Sequence, residues 1–401
     1  MDKTIAVHTS VSEVDQATQI GRAYEGPKRV VFVVNNDRSF LSHRATWGAA
    51  LQATGSEITV IAEDTGEADA IRDLGFGFVG LHVGREASGV IALARSAVLI
   101  LIALLRIRPN TVFLSAQVAY TLGWPAAIFL RHTRFVRVAG GVGRALDPSV
   151  LHTRASRVVR LSARLAGRLK NVFTLFQIEE DRDTFRMHGL LPVPERSLVI
   201  PGTGIDVNAW DCKGERNFEK PVILFASRLY REKGVHEFVA MAENLRGRGW
   251  RFQIAGDPDP GVESTVTEGE LDRWRRDGAV EVLGRRTDMA RVFADATMFV
   301  FPTRHPEGTP KVLIEAGASG LPSVVPRHAG CRAVVVGGVT GIVCETASSA
   351  DWTTAVEKLA SDPLLGWSLG QAAREHVSRE FSLQAVVSRL LEWEAVGATR
   401  K

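Results

Sequence analysis

Short runs of β-branched and other apolar residues alternate along this chain with longer stretches whose apolar positions recur at helical spacing. In the first half, the runs Arg29–Val34, Glu57–Ile61, Thr111–Leu114, Phe135–Val138 and Val172–Leu175 predict strands. In the second half, Val222–Phe225, Phe252–Ala255, Val280–Leu283, Met298–Phe301 and Ser323–Val325 predict strands. Their apolar character is nearly continuous, as expected of strands covered on both faces in parallel α/β sheets. The alternation restarts after Pro201–Gly204 and the polar stretch Asp211–Lys220. A chain of 401 residues suits two such domains. The expected division is a loose lead-in at 1–27, an N-terminal domain at 28–205, a linker at 206–220 and a C-terminal domain at 221–379. The final segment, 380–401, is expected to be a helix that crosses back to the first domain.

Composition adds little until charge is followed along the chain. The net charge is only +4, yet from Ala87 to Ile178 the one acidic residue is Asp147, against thirteen Arg and Lys. Such a stretch points to an anionic partner. Nucleic acid ranks last, because aromatics interleave poorly with these arginines and no nucleic-acid-binding motif is present. The cysteines Cys212, Cys331 and Cys344 fit neither a disulfide framework nor a zinc site, so a reducing, cytoplasmic compartment is expected. No leader-like succession opens the chain. The uncharged run Ser96–Leu105 is about half of what a bilayer span needs; it reads first as a buried helix, with partial burial in one membrane leaflet as the alternative.

The strongest chemical signal is His305–Glu315, which follows the strand Met298–Phe301. Pro310 suits the first position of a helix, where its missing N–H costs nothing. The loop Glu307, Gly308, Thr309 then offers backbone N–H groups at a helix start, where a phosphate is favoured. Glu307 and Glu315 are carboxylates suited to accept from sugar and ribose hydroxyls. A lone pair of glutamates is usually surface charge, but Glu315 lies among Leu313, Ile314 and Ala316. The second signal is Ala226–Gly234, at the carboxyl end of a strand, where ligands bind in parallel sheets. Arg228 and Lys233 are suited to grip a diphosphate from two angles, and Gly234 to turn the backbone into the next helix. Arg231 and Glu232 read as solubilising charges.

Together these motifs, R-x4-K at Arg228–Lys233 and E-x7-E at Glu307–Glu315, resemble the family 4 retaining glycosyltransferases of GT-B architecture. Pro201–Asp206, Glu315–Pro322 and Gly338–Gly341 carry similar context, and the likeness runs from about Val30 to Phe381. The resemblance implies two Rossmann-like domains with parallel sheets facing an interdomain cleft. It implies that Arg228 and Lys233 bind the donor diphosphate, with Gly308, Thr309, Pro310 and Lys311 beside it. Glu315 would bind the ribose and Glu307 the transferred sugar. Within the family the chain looks like bacterial enzymes acting on undecaprenyl-diphosphate-linked saccharides, through Asn35–Arg44, Ala139–Gly143 and the stretch from Trp274 to Arg332. That subgroup mostly uses UDP-linked N-acetylated sugars. The acceptor side would include His43, Arg44, Gly140, Gly141 and Gly143. The histidine that many members carry near this Gly-rich loop is absent, so no general base is assigned.

With no second carboxylate near the sugar, retention is expected through front-face departure assisted by the donor phosphate. Cationic residues and the helix start would do the work of a metal. No cofactor and no metal are expected beyond the nucleotide-sugar co-substrate, and Asp257-Pro-Asp259 reads as a turn. Arg154, Arg157, Arg160, Arg164 and Arg168 fall within an arc about 120° wide at ~100° per residue. Val158, Leu161, Leu165 and Leu169 lie beside that arc, making a basic amphipathic helix suited to an anionic membrane surface. The expected partners are thus a nucleotide sugar, a lipid-diphosphate-linked saccharide and the inner face of the plasma membrane. A sugar-nucleotide epimerase of the same architecture and a binding protein with a decayed donor site are the alternatives.

Overall fold

The computed structural model describes residues 15–16, 18–19, 29–81, 90–115, 117–140, 153–210, 216–259, 262–305, 307–346 and 348–398. The lead-in 1–27, apart from four positions, and Cys212 lie outside them. The chain divides into two units, Met1–Gly204 with Leu383–Lys401, and Ile205–Ser382.

The first unit is built on β1 (Arg29–Asn36), β2 (Glu57–Glu63), β3 (Gly77–Gly80), β4 (Thr111–Ser115), β5 (Arg134–Ala139), β6 (Val172–Phe176) and β7 (Ser197–Val199). They form one parallel sheet in the order β3-β2-β1-β4-β5-β6-β7. Alternate residues of β1 feed opposite faces. Val30, Phe32 and Val34 pack with Trp47 and with Val386 and Leu390 of the helix Leu383–Ala398. Val31 and Val33 pack with Ile100, Leu104 and Tyr120. Both faces are therefore dry, which is why the strands read as unbroken apolar runs. The terminal helix is pinned by buried Glu394, which accepts from Thr111 Oγ1 at 3.2 Å and pairs with Arg134 at 3.4 Å. The Arg134 guanidinium also lies 4.8 Å from the ring centre of Trp393.

The second unit contains β8 (Val222–Ala226), β9 (Arg251–Ala255), β10 (Glu281–Gly284), β11 (Met298–Val300), β12 (Ser323–Pro326) and β13 (Gly341–Cys344). Its parallel sheet has the order β10-β9-β8-β11-β12-β13. In both sheets the order reverses direction at a switch point, between β1 and β4 and between β8 and β11. The crevice beyond the strand ends at such a point is where α/β folds hold ligands.

Two expectations need correction. The described residues of the stretch 206–220, namely 206–210 and 216–220, belong to the second unit and not to a linker, because that unit begins at Ile205. Val207 and Trp210 pack on its core, and buried Phe218 fills the space left by Gly366. Next, Ser96–Leu105 belongs to the helix Val90–Ile107, which buries Ser96, Ile100 and Leu104 but exposes Val98, Ile102 and Leu105. The apolar arc of the helix Arg154–Arg168 faces outward. Ala163, Ala166 and Gly167 pack inward, while Val158, Leu161 and Leu165 are exposed. Small residues give the close approach to the sheet, so the larger ones are left outside.

Candidate active site

The loops that follow β8 and β11 meet at the second unit's switch point. Strand β8 runs out at Ala226, and the chain enters a short 3-10 turn, Arg231–Lys233, before the helix Val235–Asn244. Gly234 makes that passage with a left-handed φ of 85°, its Cα so close to the Pro302 carbonyl that no side chain fits. This brings the R-x4-K loop against the loop after β11. Gly330 does the same from the other side, packing bare backbone on the carbonyls of Glu307 and Gly308.

Within this frame the Lys233 ammonium is bound to the Glu307 carboxylate, with side chains 11% and 17% exposed. Arg228 is more open, and its Nη1 donates to Asp259 Oδ2 at 2.5 Å. Tyr230, itself buried, is shared by both cations: its ring centre is 5.5 Å from the Arg228 guanidinium and 5.6 Å from Lys233 Nζ. The helix carrying Glu315 starts at Lys311, one residue later than expected, with Pro310 as its N-cap in extended conformation. Gly308 and Pro310 are buried and Thr309 is half-buried. Glu315 pairs with Lys311 at 3.8 Å one turn away. The start of this helix and two cations thus lie beside two acids, an arrangement fit to take up an anion flanked by hydroxyl groups.

Three further residues join this set, and sequence reasoning gave two of them, Glu232 and Asp259, other roles. Glu232 is exposed, as a solubilising charge should be, but it is also anchored. Its carbonyl accepts from the Arg304 and His305 N–H groups at 2.8 and 3.1 Å, and its carboxylate accepts from Ser264. That hydrogen bond holds its carboxyl below the ordinary range. Asp259 is not merely a turn residue, because it faces Arg228. His305 stands edge-on to Tyr230, and burial lowers its pKa, Glu307 opposing and Lys233 and Arg228 adding to the effect. The signal for Asp259 was present in the topology: β8 and β9 are neighbours, so the loops at their ends must meet.

In the first unit, Arg44 occupies the corresponding switch point. It is buried between the helices Asp37–His43 and Ala45–Ala53, its guanidinium 4.4 Å from the ring centre of Trp47. Its Nε donates to Ser115 Oγ, at the end of β4, at 3.2 Å. Burial brings its pKa down to about 10. His43 beside it is exposed, and Gly140 is exposed just past β5. Gly141 and Gly143 lie outside the described residues, as does the side chain of Arg154. Arg157, Arg164 and Arg168 are exposed and Arg160 is half-buried. Among the described residues no group of three or more His, Cys, Asp or Glu is placed to hold a metal ion.

Comparison with known proteins bears on this geometry. Residues 220–362 match the family model described as glycosyl transferases group 1. The chain is 27% identical over 169 residues to a capsular polysaccharide biosynthesis glycosyltransferase, CapM, of Staphylococcus aureus, spanning 42% of this chain and 44% of that protein, under half the length of either. It is 23% identical over 360 residues to N,N'-diacetylbacillosaminyl-diphospho-undecaprenol alpha-1,3-N-acetylgalactosaminyltransferase of Campylobacter jejuni, spanning 86% of this chain and 93% of that one. Among solved structures, HepE of Anabaena in complex with UDP and glucose superposes with a TM-score of 0.73 at 17% identity, covering 91% of this chain and 98% of its own. The fold is GT-B, with two Rossmann-like units of parallel sheet.

Proposed function

We propose that this chain, whose residues 220–362 match the model of the glycosyl transferases group 1 family, is a retaining, metal-independent hexosyltransferase acting on a lipid-linked saccharide. The donor in this reading is a nucleotide sugar carrying UDP, the nucleotide bound in the HepE structure, and an N-acetylated hexose. The acceptor reading is supported by the diphospho-undecaprenol named for the Campylobacter relative. The product would serve cell-surface polysaccharide synthesis such as O-antigen or capsule, the latter being the process named for CapM.

One observation carries the proposal: Lys233 and Glu307, from two loops at neighbouring strand ends, meet beside a helix start. The donor diphosphate would lie along Arg228, Lys233 and the N-terminus of Lys311–Ala318. Glu315 would accept from the ribose and Glu307 from the sugar. The bond from the anomeric carbon to the phosphate oxygen breaks as negative charge grows on the diphosphate, which these fixed positive groups stabilise. The acceptor oxygen bonds the same face of the carbon, and its proton passes to the departing phosphate. Arg44, buried and cationic, is the acceptor-side residue best placed to meet a second diphosphate. The arginines of Arg154–Arg168 would hold the enzyme at the inner face of the plasma membrane, where such an acceptor resides.

A panel of nucleotide sugars read by thermal shift tests the donor reading, since a selective ligand raises the melting temperature by linkage. Product analysis with and without acceptor then separates transfer from epimerisation of the donor. A chain that no nucleotide sugar stabilises would point instead to a binding protein with a decayed site.

A further inference from the structure

The helices Val90–Ile107, Ala126–Phe129 and Arg154–Arg168 cover the same face of the first unit's sheet. Their inward residues, Ile100 and Leu104, Ala126 and Ala127, and Ala166, share one core cluster. Asn171 ties the middle turn to the end of the third helix, donating to the carbonyls of Ala127 and Leu130 at 3.1 Å each. The three therefore form one layer, and its outer surface is unusual.

On the first helix, Val98, Ile102 and Leu105 recur at spacings of four and three and are 53%, 39% and 43% exposed. Ile128 and Phe129 are 45% and 65% exposed on the middle turn. On the third helix, Val158, Leu161 and Leu165 are 62%, 57% and 39% exposed. Isolated exposed apolar residues need no explanation, but eight of them on the helices of one sheet face do. Around them stand exposed cations, among them Arg95, Arg106, Arg131 and Arg168. Residues 90–140 and 153–178 contain no Asp or Glu at all.

A partner must match both properties. A bilayer with anionic headgroups does so in depth order: phosphates meet the guanidinium groups, and hydrocarbon lies about 5–10 Å below for the apolar tips. Among the described residues no helix is long and apolar enough to cross a membrane. We propose that the outer surface of this three-helix layer is a docking face for an anionic bilayer, with Ile128 and Phe129 as its inserting point. The inference rests on the membrane-surface reading above and extends it from one basic helix to a layer that inserts apolar side chains.

Flotation of the full chain with phosphatidylcholine vesicles, with and without phosphatidylglycerol, tests it. Binding is expected only with phosphatidylglycerol, and Ile128→Ser with Phe129→Ser is expected to lower it at least about tenfold, since two apolar side chains no longer leave water for hydrocarbon. In a separate variant, Ile102→Trp, fluorescence should shift to the blue on vesicles and be quenched by brominated acyl chains. Equal binding to neutral vesicles, an unquenched tryptophan, or a solution dimer that Phe129→Ser dissociates would each overturn the proposal. Vesicle binding without any sugar transfer would leave this face standing and sink the transferase reading. Transfer to a detached saccharide without vesicle binding would do the opposite.

Discussion

Lys233 and Glu307 neutralise each other across the two loops of the candidate site, although the reaction proposed for them requires each to face a different part of the donor. Donor entry must therefore exchange an internal ion pair for a phosphate contact on one side and a sugar hydroxyl on the other. Glu307→Gln should free Lys233 and tighten UDP by about tenfold, or about 1.4 kcal/mol. The same change should slow transfer by about 10²-fold. Lys233→Ala should weaken UDP by about 10- to 100-fold, the value of hydrogen bonds to charged groups. Calorimetry with UDP and steady-state transfer rates check both; looser UDP in Glu307→Gln would contradict the exchange.

Asp259 fixes one end of the Arg228 guanidinium and is itself fixed, its N–H donating to Thr265 Oγ1 at 2.7 Å. Because Arg228 is two-thirds exposed, the pair is a modest one. Asp259→Asn should raise the donor KM about two- to fivefold with little change in kcat. In an Arg228→Gln background the effect should vanish, as expected when one residue acts through another.

In the proposed reaction, Arg228, Lys233 and the helix start at Lys311 supply the positive charge that the departing diphosphate needs. Transfer should persist in excess chelator. A rate abolished by chelator and restored by Mn²⁺ or Mg²⁺ would assign that task to an ion.

Asp181 lies near the start of the helix Glu179–Met187, 5% exposed, with one carboxylate oxygen lacking a hydrogen bond. Burial, aided by Glu180, raises its pKa from 3.8 to about 7. The folded state thus holds a proton that the unfolded chain has already lost. The associated stability is complete below the unfolded pKa and declines as pH rises through the interval to about 7. Asp181→Asn should melt a few degrees above the parent at pH 8, with the gap closing toward pH 4. A constant gap across that range would sink this account.

Glu394 is buried against Arg134 and Thr111, and burial raises its pKa. Glu394→Leu alone leaves a cation uncompensated and should cost about 3–5 kcal/mol in urea unfolding of the first unit. Adding Arg134→Met should restore most of that loss, since apolar replacements of a buried pair are tolerated.

The central strands were readable because each is buried on both faces and so carries an unbroken apolar run. Strands β3, β7 and β13 escaped notice, and all three are sheet edges. Gly77–Gly80 and Ser197–Val199 have no fully buried residue, so neither run nor alternation marks them. The motif residues were legible by spacing because the turn after β8 and the helix after β11 are local structures. Asp259 and Glu232 were not, because their roles arise from contacts between loops distant in sequence. The direction of the apolar arc on the helix Arg154–Arg168 was not legible either: helical periodicity locates the arc of Val158, Leu161 and Leu165 but does not say which arc meets the sheet, and here Ala163, Ala166 and Gly167 do.

The helix Leu383–Ala398 closes a sheet whose strands were all made before Val199. During translation the first unit therefore waits, one side of its sheet lacking that cover, while the whole of Ile205–Ser382 emerges. The second unit, continuous in sequence, has every residue it needs before the first does. An N-terminal half expressed alone would present Val30, Phe32 and their neighbours to water, and its insolubility would reflect a missing helix from the far end of the chain.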